Sequence, residues 1–380
     1  MQKGHITGEI FEEKIANILN PNAQHREKAE MTLLERFDKF IVDGYRDGIF
    51  AEGRMRHYRV VYGALERFLA TKNLRSITPI EFDADMLMEL RYFFTNEYEY
   101  VEKYPYLYEG KRERDIPRQR RDMNTTITKL KKIQAFFNEL EDKEEIVAFP
   151  FRKLGKKRKA AVLKERYDDP VYLYKDELLK VMYTNVPTTL QETKECFLLQ
   201  CAFGCRIADF QSLTMDKIKV TEDGIPFIHY LPKKTLRDNI ENIETETPVI
   251  RYALDLIKKW KFNFPILKYV TGKSGYNAKI KLLLQHCGID RECKIFNDEL
   301  NDNIYKPLYM LASSKLCRKT HVDIMNKVQV NMYAAGLHKD RSEAVNRYTK
   351  MELKDRFILM CTAFEQPIYK VDKQLNVIEE

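Results

Sequence analysis

The sequence predicts a mainly α-helical protein with a small β component, arranged in two domains. Three observations lead there. Apolar residues recur at spacings of three and four along most of the chain, the period of a helix with one buried face. One short stretch around Phe227 alternates instead, with the period of a strand. The length, 380 residues, exceeds the roughly 250–300 at which a single core stops growing.

In chain order, residues 1–29 form an N-terminal extension. A first helical domain, 30–150, follows. Leu33, Phe37, Phe40 and Ile41 mark one amphipathic helix, and Tyr58, Val61, Leu65 and Phe68 mark a second. "MLMELRYFFTNEYEYV" supplies a third helix, and Ile127, Leu130, Ile133, Phe136, Phe137 and Leu140 line one face of a fourth. Residues 151–167 have no sustained period, carry many basic side chains and are flanked by Pro150 and Pro170, which marks an interdomain linker lying along its ligand. The second domain, 168–380, opens with helices at "YKDELLKVMYTN" and "TKECFLLQCAFGCRIADFQSLTMDKIKV". Its hairpin lies in "GIPFIHYLPKKTLRDNIENIETETPVI", where Phe227, His229 and Leu231 alternate with Ile228 and Tyr230. From "RYALDLIKKW" onward the pattern is again mostly helical.

Composition narrows the function classes. A hydrophobic content of 44% argues against disorder, and no apolar run approaches the roughly 18–20 residues that span a bilayer. The N-terminus lacks a secretory apolar core, so the expected location is cytoplasmic, with no membrane partner. Seven cysteines occur without a CxxC pair, as expected of reduced thiols, and no metal or other cofactor is implied. There is no GxGxxG and no Walker loop to seat nucleotide-driven chemistry. Positive charge is concentrated in two places. Residues 111–121 hold six basic and two acidic residues; residues 152–166 hold eight and one. Their combined excess is larger than the net +8 of the whole chain, so the remainder is slightly acidic. Such clustering fits a surface that tracks phosphates, with Lys111, Arg112, Arg118, Arg120, Arg121, Arg152, Lys153, Lys156, Lys157, Arg158 and Lys159 as the contacting residues.

An ordered set of polar residues follows in the second domain. In "FGCRIADFQSL", Gly204 permits a tight bend after a helix, and Arg206 and Asp209, three apart, share a face on which the carboxylate orients the guanidinium. "YLPKKTLRD" offers Lys234, with Lys233 as the competing assignment. "SSKLCR" brings Lys315 and Arg318 one helical turn apart, after Ser313 and Ser314 as N-caps. His338 follows, and Tyr348 comes ten residues later. This order resembles the tyrosine recombinase (phage integrase-like) family, of the kind carried by bacterial mobile elements. That family has a first arginine motif, a hairpin lysine, a His-x-x-Arg box, a later His or Trp, and a nucleophilic Tyr. The resemblance covers roughly residues 175 to 355. It departs at two positions: Lys315 stands where histidine is usual, and Leu337 where a glycine commonly precedes the later histidine.

The resemblance implies a helical core-binding (SAM-like) domain ahead of a catalytic domain, and a DNA integrase that works as a homotetramer on double-stranded DNA. It implies strand cleavage and rejoining through a 3′-phosphotyrosyl intermediate on Tyr348, without ATP. The residue types suit that chemistry. A phosphodiester under attack gains charge on its non-bridging oxygens, which the guanidinium forks of Arg206 and Arg318 match. Lys315 adds positive charge, and a lysine is in general a poor base at neutral pH. Lys234 suits a general acid for the leaving 5′-oxygen. His338 suits either a proton acceptor for Tyr348 or a phosphate ligand. Type IB topoisomerases also use a Lys-x-x-Arg box, so DNA relaxation is one alternative, and a catalytically silent DNA-binding accessory protein is another. The apolar residues of "DRFILMCTAFEQPIYKVDKQL", 355–375, are expected to dock on a neighbouring subunit.

Overall fold

The computed structural model describes residues 31–146, 150–156, 162–166, 169–232, 244–269, 273–300, 302–328 and 352–379. The N-terminal extension, Lys157, Arg158, Lys159, Lys233, Lys234, His338 and Tyr348 lie outside the described residues. The chain divides into two compact units that meet in sequence at Tyr167 and Asp168.

The first unit is helical. Helix α1 (Leu33–Arg46) starts at Thr32, whose Oγ1 accepts from the Glu35 amide while Glu35 accepts from the Thr32 amide, closing a capping box. After α2 (Glu52–Thr71), Asp83 caps α3 (Ala84–Asn96), which gives way at Glu97 to the short α4 (Tyr98–Lys103). Asp122 caps α5 (Met123–Asp142), and one turn, α6 (Pro150–Lys153), follows. All fourteen apolar residues singled out on the first, second and fourth helices of this unit are buried, and Phe37 packs on Phe136 with ring centroids 4.8 Å apart.

Two expectations change in this unit. The stretch assigned as a linker is partly core, because Phe151, Leu154 and Val162 are buried with the helices. Asn124 bonds both the amide and the carbonyl of Arg166, and Lys131 pairs with Glu165 at 2.8 Å. Arg121, expected on a phosphate-tracking surface, instead turns inward. Its guanidinium lies 2.6 Å from Glu97 and donates to the Phe94 carbonyl. Glu97 is fully buried and is also held by Arg67 and Lys129. Burial alone would raise its pKa, but the three cations outweigh that and hold the carboxyl below its ordinary range.

The second unit is built around α8 (Thr188–Phe203), buried along its whole length from Thr193 onward. Helix α7 (Lys175–Tyr183) precedes it and the single turn α9 (Ile207–Phe210) follows. An antiparallel sheet comes next, β1 (Ile218–Val220), β2 (Pro226–Tyr230) and β3 (Thr245–Pro248), with Ile228 opposite Ile218 and Thr247. Helices α10 (Arg251–Trp260) and α11 (Lys273–His286) lead to a second hairpin, β4 (Glu292–Asn297) and β5 (Asp302–Pro307). Then come the turn α12 (Leu308–Leu311), α13 (Lys315–Val328), α14 (Leu353–Ala363) and a small pair, β6 (Lys370–Val371) and β7 (Val377–Glu379). Helix α8 packs against α10, α11 and α13.

The mainly α expectation holds, with more β-structure than the one hairpin read from the pattern. Asn297 shapes the β4–β5 turn by accepting from the amides of Glu299 and Leu300. The segment expected to dock on a neighbour packs on its own unit. Tyr369 is buried and donates to the Val249 carbonyl at 2.7 Å, and the Val371 amide donates to the Gly224 carbonyl at 2.9 Å. All seven cysteines are free and buried. Among the described residues no helix is long and apolar enough to cross a membrane.

Candidate active site

The predicted arginines are placed by the end of one helix. Helix α8 stops at Gly204, whose left-handed backbone (φ +60°, ψ 11°) turns the chain out of the core. A side chain at that position would also collide with a neighbour, since an added Cβ would lie 2.5 Å from the His321 ring. Glycine is therefore required both for the backbone and for the space. Two residues later Arg206 takes the N-cap position of α9, and Asp209, in that same turn, is buried at 2% exposure.

Helix α13 brings the second arginine to this bend. Its start is fixed by the Asn277 side chain, which accepts from the Ser314 amide at 2.9 Å, and by buried Gln200, which donates to the Ser314 carbonyl at 3.2 Å. Gln200 is in turn held by the Tyr276 hydroxyl at 3.3 Å. Farther along α13, Thr320 is buried and accepts from the Leu173 amide. With the helix anchored on its inner face, Lys315 and Arg318 stand one turn apart on its exposed side. Arg318 Nη1 donates to the Gly204 carbonyl at 3.0 Å. Arg318 thus reaches the helix end that Arg206 follows by two residues.

Two residues overlooked in the sequence belong to this site. His321 lies one turn beyond Arg318, and its Nδ1 donates to the Cys201 carbonyl at 2.9 Å. Its ring lies against Gly204 and 5.7 Å from the Phe364 ring. Burial, aided by the Arg318 charge, pushes its pKa down to about 4, so it is neutral at pH 7. A cue existed in the helical phase, since 315, 318 and 321 are spaced by three. Tyr230, at the end of β2, is the other. Burial first, then Cys205 and Asp209, raise its pKa, while Arg318 and Arg206 oppose the rise, so its hydroxyl feels both arginines. Tyr230 ends β2, three positions before Lys233 in the sequence.

On the first unit, Lys111, Arg112, Arg118, Arg152, Lys153 and Lys156 are exposed, and Arg120 is half-buried. Arg112 pairs with Asp115 at 2.7 Å, Arg118 with Glu113, and Arg152 with Glu141 at 3.0 Å. Exposed pairs of this kind are worth about 0–1 kcal/mol each.

Arg318 thus reaches the bend from which Arg206 emerges, with Lys315 one turn away on the same helix face; guanidinium forks are groups whose geometry matches phosphate oxygens. No protein-family model and no curated protein sequence matches the chain. Solved structures do resemble it. A lambda integrase (residues 75–356) dimer bound to a COC′ core site aligns at TM-score 0.52 and 14% identity, over 86% of this chain and 96% of that one. The Tn1549 transposon integrase (residues 82–397), in complex with circular intermediate DNA, aligns at 0.50 and 12%, over 87% and 99%. The chain has the tyrosine recombinase fold.

Proposed function

We propose that this protein is a site-specific DNA recombinase that cuts and rejoins duplex DNA through a 3′-phosphotyrosyl intermediate. The observation that supports the proposal is the Arg318 bond to the Gly204 carbonyl, which brings that guanidinium to the bend that Arg206 follows two residues later. Both structural neighbours named above contain DNA, which supports DNA as the partner.

In this reading the phenolic oxygen of Tyr348 attacks the scissile phosphorus and the bond to the 5′-oxygen breaks. Arg206 and Arg318 hold the non-bridging oxygens as charge develops on them, and Lys315 adds to the positive field. Lys234, or its neighbour Lys233, protonates the departing 5′-oxygen. His338 accepts the Tyr348 proton or holds the phosphate. Attack by a 5′-hydroxyl on the phosphotyrosyl bond reverses these steps and restores the tyrosine, so bond energy is conserved and ATP is not consumed. Lys111, Arg112, Arg118, Arg120, Arg152, Lys153 and Lys156, together with Lys157, Arg158 and Lys159, neutralise flanking phosphates, and a homotetramer brings two DNA sites together.

Lys315 at the first box position keeps a type IB topoisomerase reading alive, and DNA topology separates the two. Incubation of supercoiled plasmid in EDTA should leave arbitrary sequence supercoiled, while a plasmid library carrying paired randomised inserts should yield deletion or inversion products from particular inserts. Efficient relaxation of arbitrary plasmid would establish the topoisomerase reading. Neither product, despite DNA binding, would indicate a silent accessory protein.

A further inference from the structure

We propose that His321 is a positioning residue for the arginine pair, acting by capping the C-terminal turn of α8 from which Arg206 emerges; this rests on the recombinase reading above. The last carbonyls of a helix have no partner within it and need one from elsewhere. Two of those at the end of α8 are met by side chains from consecutive turns of α13. His321 Nδ1 donates to the Cys201 carbonyl at 2.9 Å, and Arg318 Nη1 donates to the Gly204 carbonyl at 3.0 Å. A carbonyl can only accept, so the ring carries its proton on Nδ1. The imidazole also occupies the space left open by the missing Cβ of Gly204, with ring carbons 2.5 and 2.6 Å from where that atom would be. Phe364, the C-cap of α14, backs the ring.

His321 therefore fixes the relation between α8 and α13 at the bend that Arg318 bonds and Arg206 follows. Without it, Arg318 keeps a partner only in a backbone carbonyl whose own position is no longer pinned. The imidazole holds the bend without adding a charge beside Arg318, which a lysine or arginine at this position would do. Asparagine presents a comparable N–H and is neutral; phenylalanine keeps ring bulk and loses the donor.

The test uses the full-length chain with His321→Phe and His321→Asn. With arginine side chains labelled by nitrogen-15, the Arg318 guanidinium resonance is identified by its loss in Arg318→Lys. Single-turnover adduct formation and affinity are then measured on one trapping duplex selected by the parent. His321→Phe should move the Arg318 resonance and slow adduct formation about tenfold or more, the factor that 1.36 kcal/mol of transition-state stabilisation represents. Affinity for the duplex should stay within about twofold, and His321→Asn should recover most of the rate and the resonance position. An unmoved Arg318 resonance in His321→Phe, or an Asn variant as impaired as the Phe variant, overturns the proposal. If the parent forms no adduct, the recombinase reading fails by itself, and the resonance still decides whether His321 positions Arg318.

Discussion

Replacing Gly204 with alanine should destabilise the second unit well beyond an ordinary glycine substitution. The residue sits at φ +60°, where a side chain costs about 1–2 kcal/mol. The new methyl would also meet His321 Cδ2 at 2.5 Å and Cγ at 2.6 Å, inside a packed region, and overpacking of that kind costs about 1–3 kcal/mol more. The total is about 2–5 kcal/mol, which at roughly 2–4 °C per kcal/mol predicts a fall in Tm of about 4–20 °C. The only tryptophan, Trp260, lies in this unit and donates to Glu195 at 2.7 Å, so its fluorescence follows the right melting event in the full chain. Gly288→Ala is the matched control. Its φ is +63°, but the nearest atom an added Cβ would meet is the far end of the long Lys180 side chain at 3.1 Å, so the backbone cost of about 1–2 kcal/mol dominates. Adding His321→Ala to Gly204→Ala should recover the steric part of the loss. Equal melting points for the Gly204 and Gly288 variants would refute the reasoning that the ring and the glycine are matched.

Further outcomes follow from the same geometry. Glu97→Ala leaves Arg67, Arg121 and Lys129 without their shared buried counter-charge and should cost about 3–5 kcal/mol, seen as an early far-UV transition with no change in the Trp260 signal. Because the Glu97 pKa is lowered on folding, its contribution is complete above the ordinary carboxylate range and is lost as pH falls through the lowered folded value. Glu97→Gln should flatten that acid limb, and an unchanged limb would count against it. His321, held near 4 against an ordinary value of about 6.5, contributes stability that is complete above pH 6.5 and disappears toward pH 4. Urea midpoints read by Trp260 should therefore depend less on pH over that interval in His321→Phe. Arg318→Lys should slow single-turnover cleavage by about 10²–10³ with little change in DNA affinity, since it removes a preorganised donor to the developing charge. Replacing exposed Lys153 and Lys156 together with glutamine should reduce the slope of log affinity against log salt by about 2; an unaltered slope would place the DNA elsewhere.

The helical frame was legible because burial and period coincide: every third or fourth apolar residue of α1, α2 and α5 reaches the first core. The β4–β5 hairpin was not, since only Cys293 of its first strand is buried and its tip is polar, leaving a weak alternation to read. Arg121 looked like one more residue of a basic run, and its partner Glu97 is 24 positions away, with no local pattern linking them. At the site, Arg206 and Arg318 could be picked out by the resemblance of the ordered set to the tyrosine recombinase motifs, with Gly204 marking the bend before the first. That Arg318 bonds the Gly204 carbonyl is a tertiary fact, as is the packing of the His321 ring against the glycine. The reading of the motif passed over His321 because its role depends on a carbonyl 120 residues earlier.

The most direct test is covalent trapping. Nicked duplexes with randomised core sequence, whose cut end diffuses away, are incubated with the full-length protein, and adducts that survive denaturation are digested and mapped by mass spectrometry. The account predicts a nucleotide-bearing peptide containing Tyr348, no adduct from Tyr348→Phe, and full adduct formation in EDTA. An adduct of equal yield from Tyr348→Phe, or none from the parent on any sequence that it binds, would contradict the account.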